Sequence, residues 1–266
     1  MCAASAWART TLIRTFEGTT TTQGDNLLFK GQTVLVSGAN RGLGARLVES
    51  LLDAGVTKVW AAARYTGQFR AEVLAEERVA PLQLDVTNQA SVDAAAKQAE
   101  DVGVLINNAG VLGFGGPLDG DLDLFERDLL TNYLGTLRVT RAFTPILQRN
   151  APAAVVNILT VTALAPIRAL AGYSASKAAS HSMTQAMRSE LKGRRIDVFA
   201  AYPGGIDTEM VSGVDMMKTA PAEVAARIIE CIQSGESVVW PDVVSAGAGQ
   251  AYLNNPIALE EMLGAI

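Results

Sequence analysis

The sequence is poor in the residues that form disulfide frameworks and metal centres. Its 266 residues include two cysteines and one histidine, which are Cys2, Cys231 and His181. So few cysteines cannot form the disulfide network that stabilises small secreted domains, and zinc or iron sites need several cysteine or histidine ligands. We therefore expect no metal ion and a reducing, cytoplasmic location.

The sequence also lacks a basic tract and a long uninterrupted apolar run. The net charge is −5 and charged residues make up 18% of the chain, so we expect no nucleic-acid partner and no binding to an anionic membrane. The most apolar long stretch, residues 155–172, contains Asn157 and Arg168 and does not predict a membrane-spanning helix. A hydrophobic content of 49% is enough for one well-packed domain.

The first 29 residues differ in composition from the rest of the chain. They are rich in threonine, contain two arginines and show no clear hydrophobic period. Arginine and hydroxyl residues are typical of transit peptides, but the acidic residues Glu17 and Asp25 weaken that interpretation. We therefore predict a flexible arm over residues 1–29 and a single domain over residues 30–266.

Beyond the arm, short apolar runs alternate with longer stretches of helical periodicity. Strands are predicted at residues 33–37, 58–63, 81–84, 104–107, 154–159, 197–202 and 237–240. Helices are predicted at residues 42–54, 70–78, 90–101, 121–149, 173–192 and 221–234. Alternation of this kind requires right-handed crossovers and gives a parallel sheet that is buried on both faces. The pattern predicts an α/β fold with one doubly wound domain, in which helices cover both faces of a seven-stranded, mostly parallel sheet.

Three glycines follow the first predicted strand and lie at the start of the first predicted helix. Gly38, Gly42 and Gly44 allow a tight turn there and a close approach of the backbone to a ligand. The helix N-terminus adds free N–H groups and the positive end of a dipole, which together favour a pyrophosphate. This arrangement predicts a dinucleotide site, and a structural turn without a ligand is the alternative.

A tyrosine and a lysine, Tyr173 and Lys177, lie four residues apart in a predicted helix that otherwise consists mostly of small residues. Residues with this spacing share a helix face, so the two side chains can occupy one site. At about 5 Å and an effective dielectric constant of about 20, the lysine charge would stabilise a phenolate by roughly 3 kcal/mol, a little over two pKa units. Tyr173 would then act as an acid or base near neutral pH.

Five motifs, taken together and in order, resemble a known family. They are the glycine loop from Ser37 to Gly44, LINNAG at 105–110, TNYLGT at 131–136, the Tyr173 and Lys177 pair, and YPGGIDT at 202–208. With these motifs the chain resembles the classical short-chain dehydrogenase/reductase family from about residue 29 to residue 208. The resemblance implies a Rossmann fold that binds a nicotinamide cofactor. It implies cofactor contacts from Gly38, Asn40, Arg41, Gly42, Leu43, Gly44, Arg64, Asp85, Val86, Asn108, Ala109, Gly110, Tyr173, Lys177, Pro203, Gly204, Ile206 and Thr208.

The end of the second predicted strand bears on the choice between NAD and NADP. NAD sites usually place a carboxylate about 20 residues after the glycine loop, whereas the 2′-phosphate of NADP needs a cation. Here Ala63 is followed by Arg64, and Arg41 in the glycine loop can approach the same phosphate. We therefore expect NADP(H) in preference to NAD(H). For Asp85 the resemblance implies a position beside the adenine ring, and capping of the following helix is the alternative.

The resemblance also implies roles for four residues in catalysis. Tyr173 would protonate a carbonyl oxygen while the nicotinamide delivers hydride to the carbon, and Lys177 would lower the pKa of Tyr173 and bind the nicotinamide ribose. Asn132 would hold a water molecule that links Lys177 to solvent. Thr160 stands thirteen residues before Tyr173, where the family usually has serine, and its hydroxyl keeps the same hydrogen-bonding capacity while its methyl group narrows the pocket. Thr162 is a weaker candidate for that role.

Further residues near these motifs have expected roles outside catalysis. We expect His181 to pack at a helix interface, and Ser174 and Ser176 to be small spacers. We expect residues 209–220 to form a short substrate lid, and a connector packed on the core is the alternative. Because this segment is rich in methionine and valine, we expect a mid-sized, apolar carbonyl or alcohol substrate. Apolar residues on more than one face of the helix predicted at 121–149 indicate a homodimer or homotetramer.

Three other functions remain open at this point. A sugar-nucleotide epimerase or dehydratase shares the Tyr-x-x-x-Lys motif, but such proteins resemble an extended family with a larger C-terminal substrate domain. An enoyl reductase typically has its tyrosine and lysine farther apart. An NADP(H)-binding sensor without turnover is the non-enzymatic alternative, and the presence of Tyr173, Lys177, Asn132 and a hydroxyl at Thr160 argues against it.

Overall fold

The computed structural model describes residues 28–265, which fold around one sheet of seven strands. The strands are β1 (Thr33–Ser37), β2 (Lys58–Ala63), β3 (Val79–Gln83), β4 (Val104–Asn107), β5 (Ala153–Ile158), β6 (Ile196–Ala201) and β7 (Val238–Val239). Their spatial order is β3-β2-β1-β4-β5-β6-β7, and every neighbouring pair is parallel. The predicted doubly wound α/β fold is confirmed, and each predicted strand agrees with the observed one to within two residues.

Helices cover both faces of the sheet. They are α1 (Gly42–Asp53), α2 (Ala71–Ala75), α3 (Gln89–Gln98), α4 (Leu122–Asp128), α5 (Thr136–Arg149), α6 (Ala171–Leu191), α7 (Pro221–Gln233), α8 (Val243–Asn254) and α9 (Pro256–Gly264). Successive residues of β1 point to opposite faces, because Val34 and Val36 pack in the core layer of α1 and α7 while Leu35 packs in the layer of α3, α5 and α6. Since both faces are buried, the strands are almost wholly apolar.

The helix predicted over residues 121–149 is divided in the structure. α4 is followed by a π-helical segment, Leu129–Gly135, and then by α5. A π turn inserts one residue into the α-helical repeat and so rotates the side chains that follow, and such insertions are frequent at functional sites. Asn132 lies in the middle of this π segment.

No helix is predicted for residues 243–264, where the structure contains α8 and α9. The sequence of α8 is rich in small residues, including Gly247 and Gly249, and it shows no helical periodicity. Leu259 and Leu263 of α9 are buried against the loop that follows β5. The two helices therefore cover the region next to the segment that contains Thr160 and Tyr173.

The predicted N-terminal arm, residues 1–29, lies outside the described residues except for its last two positions. Phe29 is fully buried in the core layer of α1 and α7, and Leu28 packs against the same layer. The last two residues of the predicted arm thus pack with the domain that is predicted to begin at residue 30. Within residues 28–265, no helix combines the length and the hydropathy that crossing a bilayer requires.

Candidate active site

The glycine loop lies between the end of β1 and the start of α1. Gly38 and Gly42 adopt positive φ angles of +67° and +55°, a region of backbone conformation that favours glycine. Gly44 permits close packing, since an ideal Cβ at this position would lie 2.1 Å from the carbonyl oxygen of Gly38. The loop therefore turns back tightly against the first turn of α1, as the sequence motif predicts.

The loop that leaves β4 is hydrogen-bonded directly to the glycine loop. The hydroxyl of Ser37 accepts the backbone N–H groups of Asn108 and Ala109, each at 3.0 Å. In return, Asn108 Nδ2 donates to the carbonyl oxygens of Ser37 at 3.0 Å and Gly38 at 3.1 Å. The side chain of Asn108 therefore fixes the shape of the glycine loop.

The N-terminus of α1 is free to bind an anion. Arg41 occupies the N-cap position without a capping side-chain hydrogen bond, and the first turn contains no acidic residue. Its N–H groups and the positive end of the helix dipole face the glycine loop, an arrangement that fits the pyrophosphate of a dinucleotide. Leu43 is buried in the core, so only its backbone can face the ligand. Asn40 donates to the side chain of Gln68 at 3.1 Å, which adds Gln68 to the residues around this loop.

Two arginines, Arg41 and Arg64, are the cations that the sequence predicts for a 2′-phosphate. Arg64 follows the last residue of β2, is exposed, and forms no ion pair with the residues that the structure describes. The guanidinium of Arg41 is paired with the carboxylate of Glu209, the first residue of the predicted lid. Of the two predicted phosphate ligands, Arg41 is therefore engaged by a carboxylate, whereas Arg64 has no ion-pair partner among residues 28–265.

Asp85 and Val86 follow β3, where the resemblance places the adenine ring. Asp85 Oδ1 accepts hydrogen bonds from the backbone N–H of Thr87 at 2.9 Å and from its hydroxyl at 2.7 Å. The N-cap of α3 is instead Asn88. Helix capping by Asp85, the alternative given by the sequence, is therefore wrong. Val86 is buried and lies against Gly135, where an added Cβ would be 2.7 Å from Val86 Cγ2.

The cofactor motifs and the catalytic candidates meet at Gly110. A Cβ on this glycine would lie 3.2 Å from Asn132 Oδ1 and 3.8 Å from Lys177 Nζ. The side chain of Asn132 accepts the N–H of Val111 at 2.9 Å and donates to the carbonyl of the same residue at 2.9 Å. The amide thus holds the loop after β4 by both of its polar groups. The carboxyl ends of β4 and β5 and the N-terminal half of α6 therefore share one site.

Ser176 has a larger role in this site than the predicted spacer. Its hydroxyl accepts from Asn132 Nδ2 at 2.9 Å and donates to the carbonyl of Tyr173 at 2.7 Å. The backbone carbonyl of Asn132 accepts from the hydroxyls of Thr136 at 2.8 Å and Ser180 at 3.0 Å. The π segment is therefore joined to α6 by hydroxyl groups, which explains why small polar residues surround the tyrosine and the lysine.

Tyr173 and Lys177 share one face of α6, but their predicted electrostatic relation differs from the observed one. Lys177 Nζ donates to the carbonyl of Ile158 at 2.8 Å and lies 5.9 Å from the centre of the Tyr173 ring. Burial raises the pKa of Tyr173, the charge of Asp128 raises it further, and a hydrogen bond with Thr160 lowers it. The pKa of Lys177 falls to about 8 because the ammonium is buried, although Asp128 opposes this shift.

The prediction that the lysine brings the pKa of Tyr173 toward neutrality is therefore wrong for the protein alone. Burial disfavours the phenolate and raises the pKa of Tyr173, while the ammonium of Lys177 is directed at the backbone carbonyl of Ile158. Burial thus favours the neutral phenol of Tyr173. Thr160, whose hydroxyl hydrogen-bonds to Tyr173, is buried two residues after the end of β5.

The turn after β6 completes the edge of the sheet. Pro203 accepts a hydrogen bond from the N–H of Val161, and Gly204 donates its N–H to Asp242 Oδ2 at 2.9 Å. Asp242 also caps α8, so it links the C-terminal helices to this turn, and no sequence motif indicates that link. Ile206 packs against the core, and Thr208 Cγ2 would lie 3.4 Å from a Cβ on Gly42. Thr208 is thus placed beside the glycine loop.

His181 and a pair of asparagines lie outside the reactive groups. His181 Nδ1 is 2.6 Å from the hydroxyl of Tyr202, and its ring also packs against Tyr252, in agreement with the predicted packing role. Asn107 donates to Asn157 Oδ1 at 2.9 Å, and both side chains are buried beneath the site. Within residues 28–265, no group of three or more metal-ligating side chains is present.

Comparison with known proteins identifies the family. The sequence profile of the family described as short chain dehydrogenase matches residues 32–219. Short chain dehydrogenase tazN of Aspergillus terreus is 34% identical over 227 residues, which is 80% of this chain and 49% of that protein. The human 17-beta-hydroxysteroid dehydrogenase type 2 is 36% identical over 195 residues, which is 69% of this chain and 50% of that protein. The chain spans about half the length of these two curated relatives.

Solved structures agree with this assignment. A short chain dehydrogenase from Burkholderia cenocepacia in complex with NADP has a TM-score of 0.83 and 35% identity, covering 88% of this chain and 98% of that one. A short chain dehydrogenase/reductase from Burkholderia phymatum in complex with NAD shares the fold, with a TM-score of 0.76, 22% identity, and coverage of 87% and 96%. The chain belongs to the classical short-chain dehydrogenase/reductase family.

Proposed function

We propose that this chain is an NADP(H)-dependent oxidoreductase that interconverts a ketone or aldehyde and an alcohol by hydride transfer. The observation that carries the proposal is the approach of Asn132 and Lys177 to Gly110, with Tyr173 and its hydrogen-bond partner Thr160 beside Lys177. The N-terminus of α1, which has no side-chain cap, follows the glycine loop that is bonded to the same strand end. One edge of the sheet thus combines an anion site with a proton donor. Hydride chemistry at a carbonyl requires this combination.

Each side chain has a definite task in the proposed reaction. The bound nicotinamide supplies or accepts the hydride. Tyr173 donates a proton to the carbonyl oxygen, and its raised pKa keeps that proton in place until the oxygen becomes basic. Thr160 hydrogen-bonds to the phenol and orients it together with the substrate oxygen. Lys177 would hold the nicotinamide ribose, and Asn132 orients the loop that carries Gly110.

The preference for NADP(H) is supported by charge. Arg64 and Arg41 provide two cations for a 2′-phosphate, and β2 ends in Ala63 where an NAD site usually has a carboxylate. The Burkholderia cenocepacia relative, at 35% identity, was solved with NADP. The proposed dinucleotide contacts are those implied by the sequence, with Gln68 added beside Asn40.

An apolar substrate of moderate size suits the lid. Met210 and Met217 are exposed on this segment, and Met216 lies beside Gly205, at the base of the lid. Methionine adapts its shape to irregular apolar ligands. Because the human relative is a 17-beta-hydroxysteroid dehydrogenase, steroid ketones are the first apolar compounds to test.

A homodimer or homotetramer is also proposed. Leu122 of α4 and Leu129, Leu130 and Leu134 of the π segment expose apolar surface, which a second subunit would cover. The two cysteines of the sequence, of which Cys231 is a buried free thiol, support the proposed reducing, cytoplasmic location.

The test is an activity panel that measures NADPH and NADH oxidation with aldehydes, aliphatic ketones and steroid ketones. We expect turnover with NADPH on at least one apolar carbonyl. Tight NADPH binding without turnover on any carbonyl or alcohol would instead support the alternative function as an NADP(H)-binding sensor. Absence of nicotinamide binding would refute the proposed function.

A further inference from the structure

One buried carboxylate near the reactive groups has no role in the reaction described above. Asp128 is the last residue of α4, directly before the π segment, and it is 0% exposed. Burying a carboxylate costs several kcal/mol in real proteins unless hydrogen bonds and charges compensate it. The contacts of Asp128 therefore indicate why the chain keeps a charge in this place.

Asp128 holds the loop that lines the site. Its Oδ2 accepts the backbone N–H of Gly113 at 2.8 Å. Asn132, four residues later, holds both polar groups of the Val111 backbone in the same loop. Residues four apart on a helix share a face, although the π segment between them alters the spacing slightly. Two side chains from one helix thus fix the loop at two points, directly after Gly110.

The charge of Asp128 also favours the charged form of the buried Lys177. The charged and titratable groups that interact with it are Arg127, whose guanidinium donates to Asp128 Oδ1 at 2.9 Å, and Lys177 and Tyr173 on α6. The loop contributes only the N–H of Gly113. Arg127 is 42% exposed and well solvated, so it only partly neutralises the carboxylate. Lys177 itself is bonded to a neutral carbonyl.

We propose that Asp128 is a positioning residue of the active site, whose carboxylate fixes the loop after Gly110 and stabilises the buried ammonium of Lys177. The relevance of this role to catalysis rests on the proposed function. Asp128 acts through other residues, because its carboxylate oxygens are bonded to Gly113 and Arg127. Its negative charge opposes the desolvation of Lys177 and also favours the protonated phenol of Tyr173.

The electrostatic part is tested by measuring the pKa of Lys177 directly in the full chain without cofactor. Lysine labelled with ¹³C at Cε gives six signals, and the Lys177 signal is the one lost in Lys177→Met. The parent should titrate at about 8. Asp128→Asn removes the charge but keeps an oxygen acceptor for Gly113, and we expect the pKa of Lys177 to fall by about one unit. Asp123→Asn, an exposed position on the same helix, is the matched control and should change nothing.

A second variant should shift the pKa of Lys177 in the opposite direction. Arg127→Gln removes the partner of Asp128 and one repelling cation, so the pKa of Lys177 should rise. This variant keeps the proposal testable if Asp128→Asn fails to fold. An unchanged Lys177 titration in either folded variant would overturn the electrostatic role.

The loop contact is tested by amide hydrogen exchange at Gly113. Asp128→Leu should accelerate this exchange at least tenfold, whereas Asp128→Asn should keep it near the parent rate because an acceptor remains. Equal rates in both variants would overturn the loop role. Neither the pKa of Lys177 nor the exchange at Gly113 requires turnover. If the chain fails the carbonyl panel but shows both effects, the proposed function is refuted and the positioning role of Asp128 stands.

Discussion

The ion pair between Arg41 and Glu209 gives a sharp prediction about cofactor affinity. Arg41 lies in the glycine loop, and Glu209 is the first residue of the predicted lid. Their side chains are 68% and 76% exposed. If a 2′-phosphate needs Arg41, then Glu209 competes with it for the same guanidinium. Glu209→Gln should therefore strengthen binding of NADPH, and NADH, which lacks the phosphate, should be unaffected.

The size of this effect follows from the exposure of the pair. Solvent-exposed ion pairs contribute about 0.2–1 kcal/mol, because water and salt screen them. Releasing such a pair should lower the Kd for NADPH by about 1.4- to 5-fold. The gain should shrink at high salt, and it should disappear when Arg41 is already replaced by alanine.

The assay is titration of NADPH and NADH followed by nucleotide fluorescence at two salt concentrations. Glu230→Gln is the matched control, since Glu230 forms a similar exposed pair with Arg227 on α7, at 69% and 50% exposure. An equal gain for NADH, or the same gain from Glu230→Gln, would refute competition at Arg41. Weaker NADPH binding in Glu209→Gln would mean that the pair supports the site.

Three further variants test the remaining parts of the site. Tyr173→Phe should reduce kcat at least about 100-fold, because the proton donor is lost, while calorimetry should give a Kd for NADPH within about twofold of the parent. Arg64→Asp should move the ratio of NADPH to NADH affinity at least about tenfold toward NADH, and an unchanged ratio would remove Arg64 from the phosphate site. Between pH 8 and 10.5, Lys177 binds a proton in the unfolded chain but not in the folded one, so stability should rise with pH. Over this range the unfolding free energy of the parent should increase by up to about 3 kcal/mol relative to that of Lys177→Met. Urea unfolding across this pH range measures that gain, and a constant difference would show that Lys177 is not desolvated.

The parts of the fold that follow a repeating pattern could be predicted from the sequence. The strands are apolar runs bounded by polar loops, and their alternation with helices predicts the parallel sheet that is observed. The spacing of the three glycines, after an apolar strand and before a helix, predicts the tight turn that joins β1 and α1. By contrast, α8 has no amphipathic period, so a packed helix there depends on tertiary contacts and on the Asp242 cap.

The electrostatics of the site could not be read from residue spacing. The distance from Tyr173 to Lys177 along α6 is given by the motif, but the direction of the ammonium and the depth of burial depend on the whole fold. The π segment is equally hidden, because one inserted residue leaves the hydrophobic pattern of residues 121–149 almost unchanged. Ser176 gains its role only because this segment brings Asn132 against α6.

The buried asparagines explain how α6 keeps its orientation on the sheet. Asn107 and Asn157 are directly paired in the register of β4 and β5, and they hydrogen-bond to Thr140 of α5 and Thr184 of α6. A buried amide without a partner costs about 1–3 kcal/mol, so any rotation of α6 that breaks its bond to Thr184 is opposed. Apolar packing alone tolerates small rotations, whereas a directional hydrogen bond does not. Because Tyr173 is on the same helix, this polar layer also fixes the orientation of its phenol relative to the sheet. Two asparagines within apolar strands are therefore the sequence signal that the site extends below its reactive groups.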